Sequence, residues 1–168
     1  RSTIEAERER LAELRSLANY VIDTSSLKVA EMNSELDKLF ESKTKKDTFV
    51  INFMSFGYKH GMPTEADWVI DVRFIPNPYY VSSLKRLTGN NKKVAQYVMK
   101  QDVTKEFVNR IQEIITRLVP CYVKEGKYSL TVAFGCTGGQ HRSVTLANEF
   151  YKIFTSQGWR VTLEHREL

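Results

Sequence analysis

Leu130-Thr131-Val132-Ala133-Phe134 runs directly into Gly135-Cys136-Thr137-Gly138-Gly139-Gln140-His141-Arg142-Ser143, and a stretch of helical character follows to Gln157. The first five residues are apolar and β-prone, which reads as a strand of buried type. Ser143 to Gln157 reads as a helix, with Gly158 as a fitting stop. Strand, glycine-bearing loop and helix in that order form one unit of an α/β layer. Outward from this unit, Thr48 to Phe56 reads as a second buried strand, ended by Gly57. Trp68 to Phe74 reads as a third, closed by Pro76-Asn77-Pro78, because proline removes a ladder donor. Trp159 to Leu163 is the last. Val94 to Lys100 reads as a short helix. Thr104 to Val119 reads as a longer one, with Phe107, Val108, Ile111, Ile114, Ile115 and Leu118 on one face and Pro120 bending or ending it. Strands alternating with helices predict an α/β layered sheet with parallel pairing.

The N-terminal part has a different character. Ile4, Leu11, Leu14 and Ala18 fall near helical spacing over residues 4 to 19. Tyr20-Val21-Ile22-Asp23 reads as a short strand. Thr24, Ser25 and Ser26 are candidate caps for a helix carrying Leu27, Val29, Met32, Leu36, Leu39 and Phe40. The polar run Glu41 to Asp47 reads as a linker. A lone strand forms no sheet. Residues 1–46 are therefore expected to be the tail of an α/β domain whose start is missing, or a segment that borrows a neighbour's sheet, and residues 47–168 a second domain. The absence of an initiator Met agrees with a piece of a longer protein. The orphan strand also points to a homo-oligomer.

Composition narrows the class. Of 168 residues, 42% are hydrophobic and 27% charged, which excludes a disordered or collagen-like chain. No apolar run approaches the ~20 residues of a membrane helix, so no membrane association is expected. The first ten residues carry no leader-like apolar segment, so Cys121 and Cys136 are expected as reduced thiols in the cytoplasm. The cysteine and histidine spacings match no metal pattern. A net charge of +5 is compatible with anionic partners and equally with an ordinary mixed surface.

The loop after the Leu130 strand carries the chemistry. Ligands of parallel sheets bind beyond the carboxyl ends of the strands. A helix N-terminus there presents unpaired N–H groups and the positive dipole end. Gly138 and Gly139 let the backbone close around an anion, and Arg142 offers a forked charge suited to phosphate. The same residues spell Cys-x-x-Gly-x-x-Arg-Ser, which resembles the signature loop of cysteine-dependent phosphatases, with Cys136 as nucleophile. Gly135 stands where those enzymes usually carry a histidine, and Asp71 is the best candidate for an acid. Phosphate binding is the reading adopted, and phosphatase activity the alternative. Residue by residue, a buried Cys136, a tight Gly138-Gly139 turn and a paired Arg142 would serve structure alone.

Other groups are weaker. Asp71 and Arg73 are expected on one face of their strand, as sugar-phosphate contacts or as an internal ion pair. Lys59 and His60 lie between two glycines, where a solvated loop is the simpler reading. Lys85, Arg86, Lys92 and Lys93, with His165 and Arg166 near the end, are candidate RNA-facing residues, although charge runs are commonly plain solvated surface.

Four separated motifs, Ser55-Phe56-Gly57-Tyr58-Lys59-His60-Gly61, Asp71-Val72-Arg73-Phe74-Ile75-Pro76-Asn77-Pro78, Leu87-Thr88-Gly89 and Gly135 to Ser143, together resemble the RapZ/YvcJ family over nearly the whole chain. That family joins an N-terminal P-loop nucleotide-binding domain to a C-terminal domain. The resemblance implies that residues 1–46 are the helix-strand-helix remnant of the P-loop domain and that the rest is the C-terminal domain. No Gly-x-x-x-x-Gly-Lys-Ser/Thr is present, so no cofactor is expected in this chain; ATP or GTP with magnesium belongs to the missing P-loop, and the chain should not hydrolyse nucleotide by itself. Enteric members bind small RNA, present it to an endoribonuclease and sense glucosamine-6-phosphate. Gram-positive relatives, which this sequence looks closer to, are nucleotide-binding proteins linked to competence and envelope regulation. The resemblance implies a pocket of Asp71, Arg73, Cys136, Thr137, Gly138, Gly139, His141, Arg142 and Ser143 for a phosphorylated amino sugar, coupled to a small RNA or a regulatory protein. Gln140 and Tyr79 depart from the family pattern, where lysine and, in enteric members, histidine stand.

Overall fold

A computed structural model describes residues 5–8, 10–12, 18, 21–39 and 49–168. The chain divides into two compact units, Arg1–Glu41 and Ser42–Leu168.

In the first unit, residues 5–8 and 10–12 are helical, and Ala18, expected in that helix, lies outside regular structure. Val21, Ile22 and Asp23 are irregular, which corrects the expected strand. A local turn follows it: Asp23 Oδ1 accepts from the Ser25 N–H at 2.9 Å, and the Thr24 carbonyl accepts from the Leu27 N–H at 3.2 Å. Short polar side chains that bond the backbone nearby compete with strand pairing in this way. Helix α1 is Val29–Leu39. It starts later than the candidate caps at Thr24 to Ser26. Its entry is closed by Glu31, whose Oε2 accepts from the Lys28 N–H at 2.8 Å, half of a capping box. The expected linker 41–47 lies outside the described residues.

The second unit holds a four-stranded sheet, β1 (Val50–Gly57), β2 (Trp68–Asp71), β3 (Ser129–Cys136) and β4 (Arg160–His165). The order is β2-β3-β1-β4 and every pairing is parallel. The expected α/β layer is therefore present. Helices α2 (Lys92–Met99), α3 (Asp102–Lys124) and α4 (Arg142–Ser156) complete it.

Alternation along the strands sorts the side chains. Ile51, Phe53, Leu130, Val132 and Phe134 are buried with Leu146, Phe150 and Phe154 of α4 in one core. Phe53 sits at its centre, with ring centroids 5.6 Å from Phe150 and 5.5 Å from Phe154. Each such fully buried ring is worth roughly 1.5–3 kcal/mol. Met54, Phe56 and Ala133 point the other way into a small cluster with Tyr58 and Ala66. That second face also carries polar groups: Asn52 donates to Thr131 Oγ1 at 3.1 Å and accepts from Thr162 Oγ1 at 2.6 Å.

Two helix expectations change. Pro120 lies inside α3 rather than at its end. Val119 is buried on one side of it, and Tyr122 packs against the core on the other and accepts from Trp68 Nε1 at 3.2 Å. Packing on both sides outweighs the one amide that proline lacks. Ile114 is 43% exposed and so falls off the buried face. The third strand is also shorter than expected. It stops at Asp71, and Arg73-Phe74 form a turn in which the Ile75 N–H donates to the Val72 carbonyl.

Candidate anion-binding site

Parallel pairing brings all four carboxyl ends to one edge. Gly57 lies opposite Cys136, Asp71 opposite Gly135 and His165 opposite Ser55. The loop Gly135 to Ser143 rises from the middle of this edge and feeds α4, for which no side chain caps the first turn. Its N–H groups are thus left for other acceptors.

Cys136 is the floor of the loop and is 3% exposed. Its Sγ lies 3.1 Å from Ser143 Oγ. Burial pushes the thiol up, but the Ser143 hydroxyl and the backbone N–H groups of Ser143, His141 and Gly139 donate to the sulfur and outweigh it, so the thiol sits below its ordinary value. Backbone N–H groups on this side of the loop thus favour negative charge.

The glycines have specific reasons. Gly139 has φ +72°, a left-handed conformation. A Cβ on Gly57 would lie 2.7 Å from the Gly138 carbonyl carbon and 2.8 Å from the Gly139 nitrogen. Backbone rests directly on backbone there. Gly138 is different: a Cβ would find only Lys59 Cε at 3.9 Å and Nζ at 4.0 Å. The short 3-10 turn Tyr58–His60 after β1 is tied to the loop through the Lys59 N–H and the Thr137 carbonyl, 3.3 Å apart. Lys59 therefore borders the loop, beyond the solvated role its sequence context suggested.

Arg142 is placed differently from a phosphate clamp reaching into the loop. It is 4% exposed, and its Nη1 donates to the carbonyls of Arg73 and Ile75 at 3.0 and 2.9 Å. Nε is buried without a partner. The guanidinium thus holds the turn after β2, and its charge acts on Asp71. His141 Nε2 is likewise buried and unpartnered.

Asp71 and Arg73 form the ion pair that the sequence left open. Arg73 Nε and Nη2 donate to both carboxylate oxygens, at 2.9, 3.0 and 2.6 Å. The Arg73 hydrogen bonds, over a smaller opposing effect of burial, hold Asp71 below the usual carboxylate range. Arg73 also stacks over Tyr58, 4.2 Å from the ring centre. The pair meets through the turn rather than through strand alternation.

Sequence reasoning gave no role in the anion loop to Gly57, Gly89 or Glu167. The Gly89 N–H donates to the Gln140 carbonyl at 2.8 Å, and a Cβ there would lie 2.6 Å from the Thr145 nitrogen. This packs the Thr88–Asn91 turn on the outer wall of the loop. Lys92 and Lys93 follow it, exposed at the start of α2, whose cap is Asn91. Lys85 lies over Tyr79, 4.6 Å from the ring centre, and Arg86 is exposed. His165, by contrast, is turned to Ser55, with Nδ1 and Oγ 2.8 Å apart. Arg166 is exposed. Among the described residues no group of three or more His, Cys, Asp or Glu is placed to hold a metal, and no helix is long and apolar enough to cross a membrane.

The family model of the RapZ C-terminal domain matches residues 49–168, the whole of the described second unit. This chain belongs to the RapZ family. RapZ-family relatives align over nearly all of it. A nucleotide-binding protein of Caldanaerobacter subterraneus subsp. tengcongensis is 47% identical over 165 residues, covering 98% of this chain and 58% of the relative. One of Thermoanaerobacter pseudethanolicus is 48% identical with the same coverage. One of Clostridium acetobutylicum is 45% identical over 166 residues, 98% of this chain and 56% of the relative. The chain thus spans less than two thirds of the length of the curated relatives it matches. The region shared with the RapZ model contains the strand, loop and helix described above.

Proposed function

We propose that this chain is a regulatory module of a RapZ-type protein, in which the loop Gly135 to Ser143 captures the phosphate of a phosphorylated amino sugar and occupancy is passed to an RNA or protein partner. The observation that carries the reading is the loop at the carboxyl edge of the parallel sheet, with left-handed Gly139 leading into a helix whose first turn no side chain caps. Unpaired N–H groups at a helix N-terminus and a glycine loop are donors of the kind an anion needs. Lys59 and the buried charge of Arg142 add positive potential. Asp71 and Arg73, held in fixed orientation, supply an acceptor and donors at the rim for sugar hydroxyl or amino groups. The exposed Lys85, Arg86, Lys92 and Lys93 stand near the Thr88–Asn91 wall, which supports a route from loop to partner. In the whole protein, ATP or GTP with magnesium would belong to the P-loop half; the relatives carry the name nucleotide-binding protein.

The second reading is a cysteine-dependent phosphatase. The lowered Cys136 thiol favours it. Asp71 is engaged by Arg73 on both oxygens, and Arg142 is engaged by carbonyls, which leaves the general acid and the clamp unsupplied.

Calorimetric titration with glucosamine-6-phosphate, glucose-6-phosphate and inorganic phosphate tests the first reading. Gly138→Ala fills the loop mouth where a methyl is sterically allowed, and Lys59→Ala removes the bordering charge. Selective binding of the amino sugar that both variants weaken is expected. Equal weak binding of all three, untouched by either variant, would sink it. Turnover of an aryl phosphate that Cys136→Ser abolishes would select the second reading.

A further inference from the structure

The segment after β4 stays beside the sheet edge. The Arg166 N–H donates to the Ser55 carbonyl at 3.1 Å, and the Leu168 N–H to the His165 carbonyl at 3.5 Å. This places Glu167 alongside the end of β1. Its carboxylate abuts Gly139: a Cβ on that glycine would lie 2.9 Å from Glu167 Cδ and 2.7 Å from the Gly57 nitrogen, with Glu167 Oε2 nearer still. Glu167 Oε2 is buried and has no hydrogen-bond partner.

A buried carboxylate oxygen without a donor is unfavourable. What compensates is its position against a glycine loop at a helix N-terminus, where backbone dipoles favour negative charge. Lys59, on the turn after β1, borders the same loop. An incoming phosphate would draw on the same potential, and two anions this close repel each other. We infer that Glu167 is a built-in competitor for the loop: a ligand phosphate displaces its carboxylate and so releases the segment Arg166 to Leu168 from the edge of β1. Arg166, exposed on that segment, moves with it, and loop occupancy becomes a change in the surface beside β4. The inference rests on anion capture by the loop, proposed above.

The test titrates inorganic phosphate into the wild-type chain and Glu167→Gln, which keeps the side-chain shape and removes the charge. Hydrogen exchange of residues 163–168 is followed at each step. The expected result is a several-fold tighter phosphate affinity for Glu167→Gln, by loss of one repelling charge. Saturating phosphate should speed exchange in the wild-type segment. Phosphate binding that is equal or weaker in Glu167→Gln, or exchange unmoved by phosphate, overturns the competitor while leaving the loop as the binding site. If neither chain binds phosphate, anion capture fails and the competitor with it. Unchanged thermal melting of Glu167→Gln shows that altered affinity is not a folding defect; a collapse in melting would show Glu167 to be structural and overturn the inference.

Discussion

Cys136 Sγ and Ser143 Oγ, seven residues apart in sequence, lie 3.1 Å from each other and close the loop from below. The contact joins the last residue of β3 to the first turn of α4. It is also the one side-chain donor among those that hold the Cys136 thiol below its ordinary value of 9.0 despite burial. A group whose folded pKa is depressed stabilises the fold fully above its unfolded pKa, and that contribution is lost as pH falls through the folded pKa. Wild-type protein should therefore gain melting temperature relative to Cys136→Ser as pH rises from neutral toward 9.0. A wild-type minus variant difference that stays constant across that series would contradict the assignment.

Gly138 and Gly139 are neighbours with opposite tolerance. Gly139→Ala forces a side chain into a left-handed residue and into Glu167 and Gly57. It should cost about 1–3 kcal/mol. Gly138→Ala makes only ordinary contacts with Lys59 and should stay within about 0.5 kcal/mol of wild type. Urea denaturation of the two variants side by side measures the contrast.

Arg142→Lys keeps the charge and loses the fork. The buried guanidinium bonds two carbonyls of the turn after β2, and a charged hydrogen bond of this kind is worth about 1.5–3 kcal/mol. A stability loss of that order is expected, with faster amide exchange confined to Arg73 to Ile75. Wild-type exchange in that turn would show that Arg142 does not hold it.

Burial lowers the pKa of His165 below its ordinary 6.5. The fold therefore favours the neutral ring, and the unfolded chain takes up the proton first. Stability should fall as pH drops below 6.5 toward the folded value. Melting of wild type and His165→Gln on both sides of that value checks the sign: the slope should be shallower in the variant.

The strand, loop and helix around Cys136 were legible because their signals are local. Apolar runs of strand length, glycines between them and a helical stretch after them need no knowledge of distant chain. The parallel layer followed from the same alternation. What escaped depends on long-range register. Glu167 reaches Gly139 only because β4 returns beside β1, and Gly89 is required only because its turn packs on Gln140 and Thr145. The Arg73 turn was hidden because Val72 and Phe74 are apolar in strand-like alternation, while the carbonyl bonds of Arg142 fix a turn instead. Val21-Ile22 misled in the same direction: an apolar pair predicts a strand, but Asp23 and Thr24 close a turn locally.

The meeting of Gly57, Gly138 and Gly139 main chains has an evolutionary corollary. At Gly57 and Gly139 the cradle is built from peptide groups in mutual contact, and an added side chain there collides with a neighbour. Whatever distinguishes one ligand from another would then be written in the side chains around the cradle, at Lys59, Arg73 and Glu167. A lineage with this architecture can revise its preferences by exchanging single perimeter residues while the cradle itself stays as cast.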